Sequence, residues 1–231
     1  MITYNKISQV RKRYHDLLNV IPFHNLQEKN KMILKPTKID LTKEQLSAKS
    51  FINFIVELQN LLEYIGKELS SINETISIAE SVTAGFLQFS FSQMNDASQF
   101  FKGGITAYSV TEKINLLKIE EGEAVGSDGV SPKIAESMAL NVANIFKSNW
   151  SIAVTGYANP IKKSRNKLFA YFSITHNSKV ILTEKLDLHS RTMSLKAQLY
   201  YSEFVLGCFK LELDQYKLNY LENSEQSRIS S

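Results

Sequence analysis

Apolar residues recur at helical spacing from Leu41-Thr42 through FINFIVELQNLLEYIGKEL, with Thr42 as N-cap and Glu44 and Gln45 in the first turn. Asn73 and Glu74 interrupt this pattern, and TISIA, rich in β-branched residues, predicts a short strand. AGFLQFSFSQM predicts a helix. FFKGGITAYS predicts a second strand entered through Gly103-Gly104, and EKINLLKI a short helix capped by Thr111. The acidic EEGEAVGSDG reads as a loop, with Asp128, Glu120, Glu121 and Glu123 assigned to solvent. Ser131-Pro132 puts proline at the first position of an amphipathic helix, PKIAESMALNVANIFKS. SIAVTGYA is apolar enough for a strand buried on both faces, and NPIKKSRNK is a polar loop. LFAYFSIT and VILTEKLDL form a hairpin turning at His176-Asn177-Ser178. A last helix, TMSLKAQLYYSEFVLGCFKLEL, follows Arg191, and NSEQSRISS has the composition of a frayed end.

Strands alternating with helices, followed by a hairpin, predict an α/β fold: a three-layer α/β/α sandwich with a mixed sheet. The expected organisation is a basic extension over residues 1–40, an α/β domain over 41–213 and a polar tail over 214–231. Within the extension, ISQVRKRYHDLL suits one amphipathic helix and KNKMILKPTKID a loop.

Charge adds one feature. Residues 1–50 hold ten Lys/Arg against four Asp/Glu, while the whole chain carries a formal charge of only +4. A basic arm attracts anionic partners, but no zinc-finger, RRM or KH signature supports a nucleic-acid function. No apolar run approaches the roughly 18 residues of a membrane span, and MITYNKISQVRKRYHDLL lacks the apolar core of a secretory leader. With a single cysteine, Cys208, the chain has no internal disulfide, and the expected compartment is the cytoplasm.

The chemistry begins at Ser81, where TISIAE hands over to SVTAGF. A serine between strand and helix is either an N-cap or a nucleophile. Small residues at Ala84 and Gly85 would let a ligand approach the backbone. A hydroxyl nucleophile needs a base, and none of His15, His24, His176 and His189 has a convincing context. Lysine serves when burial keeps its amine neutral. Lys113 is the candidate, with Tyr108 five residues earlier to relay or orient the proton. There is no Walker loop, GxGxxG, HExxH or carboxylate cluster at metal-ligand spacing, so no metal and no cofactor is expected.

In combination, AESVTAG, GGITAYSVTEKINLL, GVSPKIAESMA, SIAVTG and the SR before the final helix resemble the C-terminal domain of the competence/damage-inducible CinA family. Stand-alone members of that family include nicotinamide mononucleotide deamidases. The resemblance covers about residues 52 to 213. It implies Ser81 as nucleophile, activated by Lys113 and Tyr108. Thr155 and Arg191 would line the site, and Thr83, Gly85, Gly104 and Gly156 complete the implied substrate-binding set. The implied reaction is hydrolysis of the nicotinamide carboxamide of a nucleotide, with backbone N–H groups at the helix start holding the oxyanion. A homodimer is also implied.

The chain departs from the family pattern at Val82, which replaces a cysteine, at Ala84, which replaces a glycine, and at Val110, which replaces an asparagine. The Gly-rich loop expected after Thr155-Gly156 is replaced by YANPIKKSRNK, in which Lys162, Lys163, Arg165 and Lys167 either bind phosphate or face solvent. The family's separate N-terminal domain is not recognisable in residues 1–50. A second expectation follows from these losses: a divergent member that keeps the scaffold and binds a nucleotide or a partner without turnover.

Overall fold

The computed structural model describes residues 41–229. The basic segment 1–40 lies outside them. The described chain divides within its first helix, α1 (Leu41–Ile72), into two compact units that meet between Leu61 and Leu62. Of the first unit, the helical stretch 41–61 is described.

The second unit contains β1 (Ile76–Glu80), α2 (Phe86–Ser92), α3 (Ala97–Phe100), β2 (Phe101–Thr106), α4 (Val110–Leu117), α5 (Glu121–Gly126) and α6 (Pro132–Phe146). These are followed by β3 (Trp150–Tyr157), β4 (Leu168–His176), β5 (Lys179–Leu188) and α7 (Ser194–Ile229). The five strands form one mixed sheet in the order β2-β1-β3-β4-β5. β1 runs parallel to β2 and to β3, and β4 and β5 are antiparallel additions. This is the expected mixed sheet with helices on both faces.

Strand alternation sorts side chains by size between the two faces. Ser77, Ala79, Ser151, Ala153 and Thr155 turn toward α6, where Ser151 donates to the Ala139 carbonyl at 2.6 Å and Ala79 and Ala153 join the Ile134–Met138–Val142 cluster. Trp150 and Phe172 turn to the opposite face and pack edge-on against Phe209 and Phe204 of α7. Small residues on one face let α6 lie close to the sheet; large ones on the other hold α7 farther out. The end of α1 is tied to α7 by Tyr64, whose hydroxyl donates to Asp214 at 2.6 Å, and by the Lys217–Glu68 ion pair.

Three local expectations change. The cap of α4 is Ser109 rather than Thr111; its side chain accepts from the Glu112 N–H, and the helix begins at Val110 rather than at Glu112. EEGEAVG is helical, because Glu120 accepts from the Gly122 and Glu123 N–H groups at 2.8 and 2.7 Å and caps a first turn that two glycines would otherwise disfavour. Finally, α7 continues to Ile229 through much of the expected polar tail; no glycine or proline follows Gly207 to stop it.

Ala84 has φ of 53°, in the left-handed region that a Cβ disfavours. Ala84→Gly is therefore expected to raise the unfolding free energy by about 0.5–1 kcal/mol, read as a shift of the urea midpoint at unchanged slope.

Candidate active site

A cleft lies beyond the carboxyl ends of β1, β2 and β3. Chain order takes the strand after β1 to one side and β3 to the other, so a crevice opens above β1, the position where open α/β sheets bind ligands. Its volume is about 470 Å³, and its lining includes Ser81, Tyr108, Lys113, Asp128, Tyr157 and Lys163.

Ser81 follows β1 directly, held by its N–H donating to the Val154 carbonyl at 2.9 Å. It is not the cap of α2, which starts five residues later behind Gly85 (φ 99°). The cap is Glu80. Alternation in β1 turns this residue to the same face as Ile76 and Ile78, where it is fully buried. One carboxylate oxygen accepts from the Gly85 and Leu87 N–H groups at 3.0 and 3.1 Å, the other from Gln88 at 2.8 Å. Phe86 N–H donates to the Thr83 carbonyl. The N–H groups at the start of α2 are thus occupied and cannot hold an oxyanion, contrary to the sequence expectation. The backbone N–H groups of Val82 and Thr83 carry no hydrogen bond among the described residues.

Lys113 comes from the first turns of α4, whose Ser109 cap fixes the helix so that Lys113 and Leu117 face inward together. Lys113 is 2% exposed, and its Nζ lies 2.9 Å from Ser81 Oγ as a hydrogen-bond donor. Burial lowers its pKa from the usual 10.5 to about 8, against the opposing pull of Asp128. The Ser81 hydroxyl is also 3.5 Å from the Tyr108 carbonyl. A serine hydroxyl beside a lysine whose ammonium is weakened by burial is an arrangement that can supply a nucleophile and a base.

The other expected residues are placed differently. Tyr108 lines the cleft but is 68% exposed, and its hydroxyl has no hydrogen-bond partner among the described residues. Thr155 is buried and donates to the Gly129 carbonyl at 2.7 Å, so it fixes a loop beside Lys113 instead of facing the cleft. Gly156 lines the cleft, and it is glycine because a Cβ there would stand 2.4 Å from the Phe169 carbonyl oxygen. Gly104 and Gly85 lie outside the lining. A Cβ on Gly104 would meet the Ile78 carbonyl oxygen at 2.5 Å. Arg191 is exposed on the turn before α7, its N–H donating to His189 Nδ1, and does not line the cleft. Thr83 is buried, and its hydroxyl is the buried side-chain polar atom without a partner among the described residues.

Asp128 corrects the assignment of that loop to solvent. It lines the cleft and accepts from the Tyr157 hydroxyl at 3.1 Å and from Lys163 Nζ at 2.5 Å. Burial, with help from Asp128, pushes the Tyr157 hydroxyl up to about 12. Of the four basic residues that replace the Gly-rich loop, Lys163 alone joins the lining. His176 is far from this chemistry: it pairs with Glu74 at 3.0 Å and stacks on Trp150 at the opposite end of the sheet. Among the described residues no three His, Cys, Asp or Glu side chains stand together as a metal site, and no helix is long and apolar enough to cross a membrane.

Comparison with known proteins agrees with this architecture. Residues 58–201 match the family described as the CinA C-terminal domain. A CinA-like protein of Prochlorococcus marinus strain MIT 9301 is 34% identical over 213 residues, covering 83% of this chain and 49% of the relative. Another from strain MIT 9312 is 37% identical over 168 residues, 66% of this chain and 39% of the relative. The chain therefore spans about half the length of the curated relatives it matches. Among solved structures, the competence or damage-inducible protein from Enterobacter asburiae superposes with a TM-score of 0.63 at 19% identity, covering 68% of this chain and 98% of that one. The competence/damage-inducible protein from Agrobacterium tumefaciens gives the same score at 21% identity, covering 68% and 95%. With the family model matching residues 58–201 and a relative 34% identical over 83% of its length, the chain belongs to the CinA C-terminal domain family.

Proposed function

We propose that this protein is an amidohydrolase that converts nicotinamide mononucleotide to nicotinic acid mononucleotide and ammonia. What carries the reading is the 2.9 Å contact between the buried Lys113 amine and the Ser81 hydroxyl in the cleft. With Lys113 neutral, the contact reverses: the hydroxyl donates to Nζ and Lys113 takes the proton as Oγ attacks the carboxamide carbon. The tetrahedral oxyanion sits against the Val82 and Thr83 N–H groups. Its collapse expels the amine, which leaves as ammonia with the proton from Lys113. Water, deprotonated by the same lysine, then cleaves the ester and frees the acid and Ser81. Tyr108 and Gly156 belong to the cleft wall, and Arg191 would reach the phosphate only from outside the present lining.

The test is ammonia release from nicotinamide mononucleotide by the purified chain beside Ser81→Ala. Release that falls by about 10³-fold or more in the variant is the expected result. Absence of release from the wild type would overturn the proposal. The second reading, binding without turnover, is favoured by the unbonded Tyr108 hydroxyl and the distant Arg191; a thermal shift with nucleotide but no ammonia would select it. The homodimer implied by the resemblance is read directly by light scattering.

A further inference from the structure

The turn 128–129 is held from several sides at once. Thr155 Oγ1 donates to the Gly129 carbonyl at 2.7 Å, and the Gly129 N–H donates to Ala124 at 2.7 Å. Asp128 and Gly129 both adopt left-handed φ, 54° and 68°. This seats the turn directly against the lysine: a Cβ on Gly129 would lie 3.1 Å from Lys113 Cδ and 3.4 Å from its Nζ. Asp128, one residue earlier, spends both carboxylate oxygens on the end of β3 and the loop beyond it, one on Tyr157 and one on Lys163.

We infer that the Asp128 carboxylate, clamped by Tyr157 and Lys163, is a positioning group for the Ser81–Lys113 pair, through which the basic loop after β3 sets the pH at which Lys113 becomes a base. The inference rests on the amidohydrolase reading for its catalytic meaning but not for its test. A carboxylate beside a buried amine favours the ammonium; a second cation on that carboxylate weakens the effect. Among the described residues, the titratable groups that share the cleft lining with Lys113 are Tyr108, Asp128, Tyr157 and Lys163, and Ser81 lines it as well. Ser81 comes from the end of β1, Tyr108 from the loop before α4, Asp128 from the turn after α5, Tyr157 from β3 and Lys163 from the loop beyond it. Glu112, its neighbour on α4, is exposed. Asp128 is the charged neighbour that acts on Lys113. Lys163 occupies the segment that the resemblance expects to be Gly-rich.

The experiment follows the Lys113 ε-methylene resonance against pH in the intact chain, assigned by its loss in Lys113→Met. Asp128→Asn is expected to lower the titration midpoint, and Lys163→Met to raise it, each by about half a pH unit or more. The double variant is expected to lie closer to Asp128→Asn than the sum of the two single shifts predicts, because Lys163 acts mainly through the carboxylate that it holds. Tyr157→Phe, which keeps the ring, is expected to raise the midpoint by a smaller amount. Midpoints that do not move, that move in the same direction in Asp128→Asn and Lys163→Met, or that keep the full Lys163 effect once Asp128 is removed would each overturn the proposal. The titration needs no turnover, so its failure is distinct from failure of the amidase reading. Where ammonia release is measurable, its pH profile is expected to shift in parallel.

Discussion

Lys113→Met is expected to abolish ammonia release and, at pH 7, to raise the unfolding free energy by about 1–3 kcal/mol. The gain follows from the same burial that makes the residue useful. Packed at 2% exposure, the folded amine holds its proton only to about pH 8, whereas in the unfolded chain it does so to its ordinary value of 10.5. A shift of that size corresponds to roughly 3 kcal/mol of penalty on the charged form. Below pH 8 both states carry the proton and the folded protein bears the whole penalty. Between pH 8 and 10.5 the folded amine is neutral while the unfolded one is still charged, so the unfolded state binds more protons and wild-type stability rises with pH. Methionine has no such term. The stability difference between the variant and the wild type should therefore be largest at pH 6–7 and shrink toward pH 10. Urea unfolding at pH 6.5 and 9.5 measures it, with melting shifts of about 2–4 °C per kcal/mol. A variant less stable than wild type at pH 6.5 would mean that the bond to Ser81 and the attraction of Asp128 outweigh burial. The rate of the wild type should climb about tenfold per pH unit below 8 and level off above it.

The parts of the site legible in the sequence are those fixed by local order along the chain. Ser81 after the first strand and Lys113 in the first turns of the helix after the second strand are read from motif spacing, and the parallel sheet then brings them to 2.9 Å. Motif spacing names a residue type without its rotamer or loop path, which is why Tyr108 and Arg191 match the family pattern yet place neither hydroxyl nor guanidinium beside Ser81. Two acidic residues were unreadable for another reason. Glu80 looks like the polar end of a strand, and its destination becomes visible only when Ile76, Ile78 and Glu80 are seen to share one face. The signal was the period of two, carried one residue beyond the apolar run. Asp128 was hidden by the glycines of EEGEAVGSDG, which argue for a loop. The cap supplied by Glu120 makes that segment helical and directs the following turn into the cleft. Fold class needed none of this, because alternating strand and helix periods followed by a hairpin already specify a mixed, two-faced sheet.

Glu80→Ala is expected to lower the unfolding free energy by about 3–5 kcal/mol, the largest loss foreseen for any single side chain of the site. The carboxylate is fully buried and faces a helix N-terminus, not a cation. Three backbone N–H groups, Gly85, Leu87 and Gln88, converge on it, and the partial positive charge of the helix end compensates its own. Alanine would leave those donors unmet in a site where Leu87 has no exposure to water. Each charge-assisted bond contributes about 1.5–3 kcal/mol, and they are not additive, since α2 can shift toward a new partner. Glu80→Gln keeps the shape but places an amide N–H against a backbone N–H, and about 1–3 kcal/mol is the expected loss. Both variants should impair ammonia release in proportion to how far the Val82–Gly85 turn moves, because Ser81 is joined directly to the cap. A displacement of about 1 Å at the nucleophile is enough for a 10²-fold loss. Urea unfolding of the two variants, with ammonia release measured under conditions where each remains folded, separates the stability effect from the positional one. A loss under 1 kcal/mol in Glu80→Ala would mean that α2 satisfies its own N–H groups and that Glu80 does not hold the turn on which Ser81 stands.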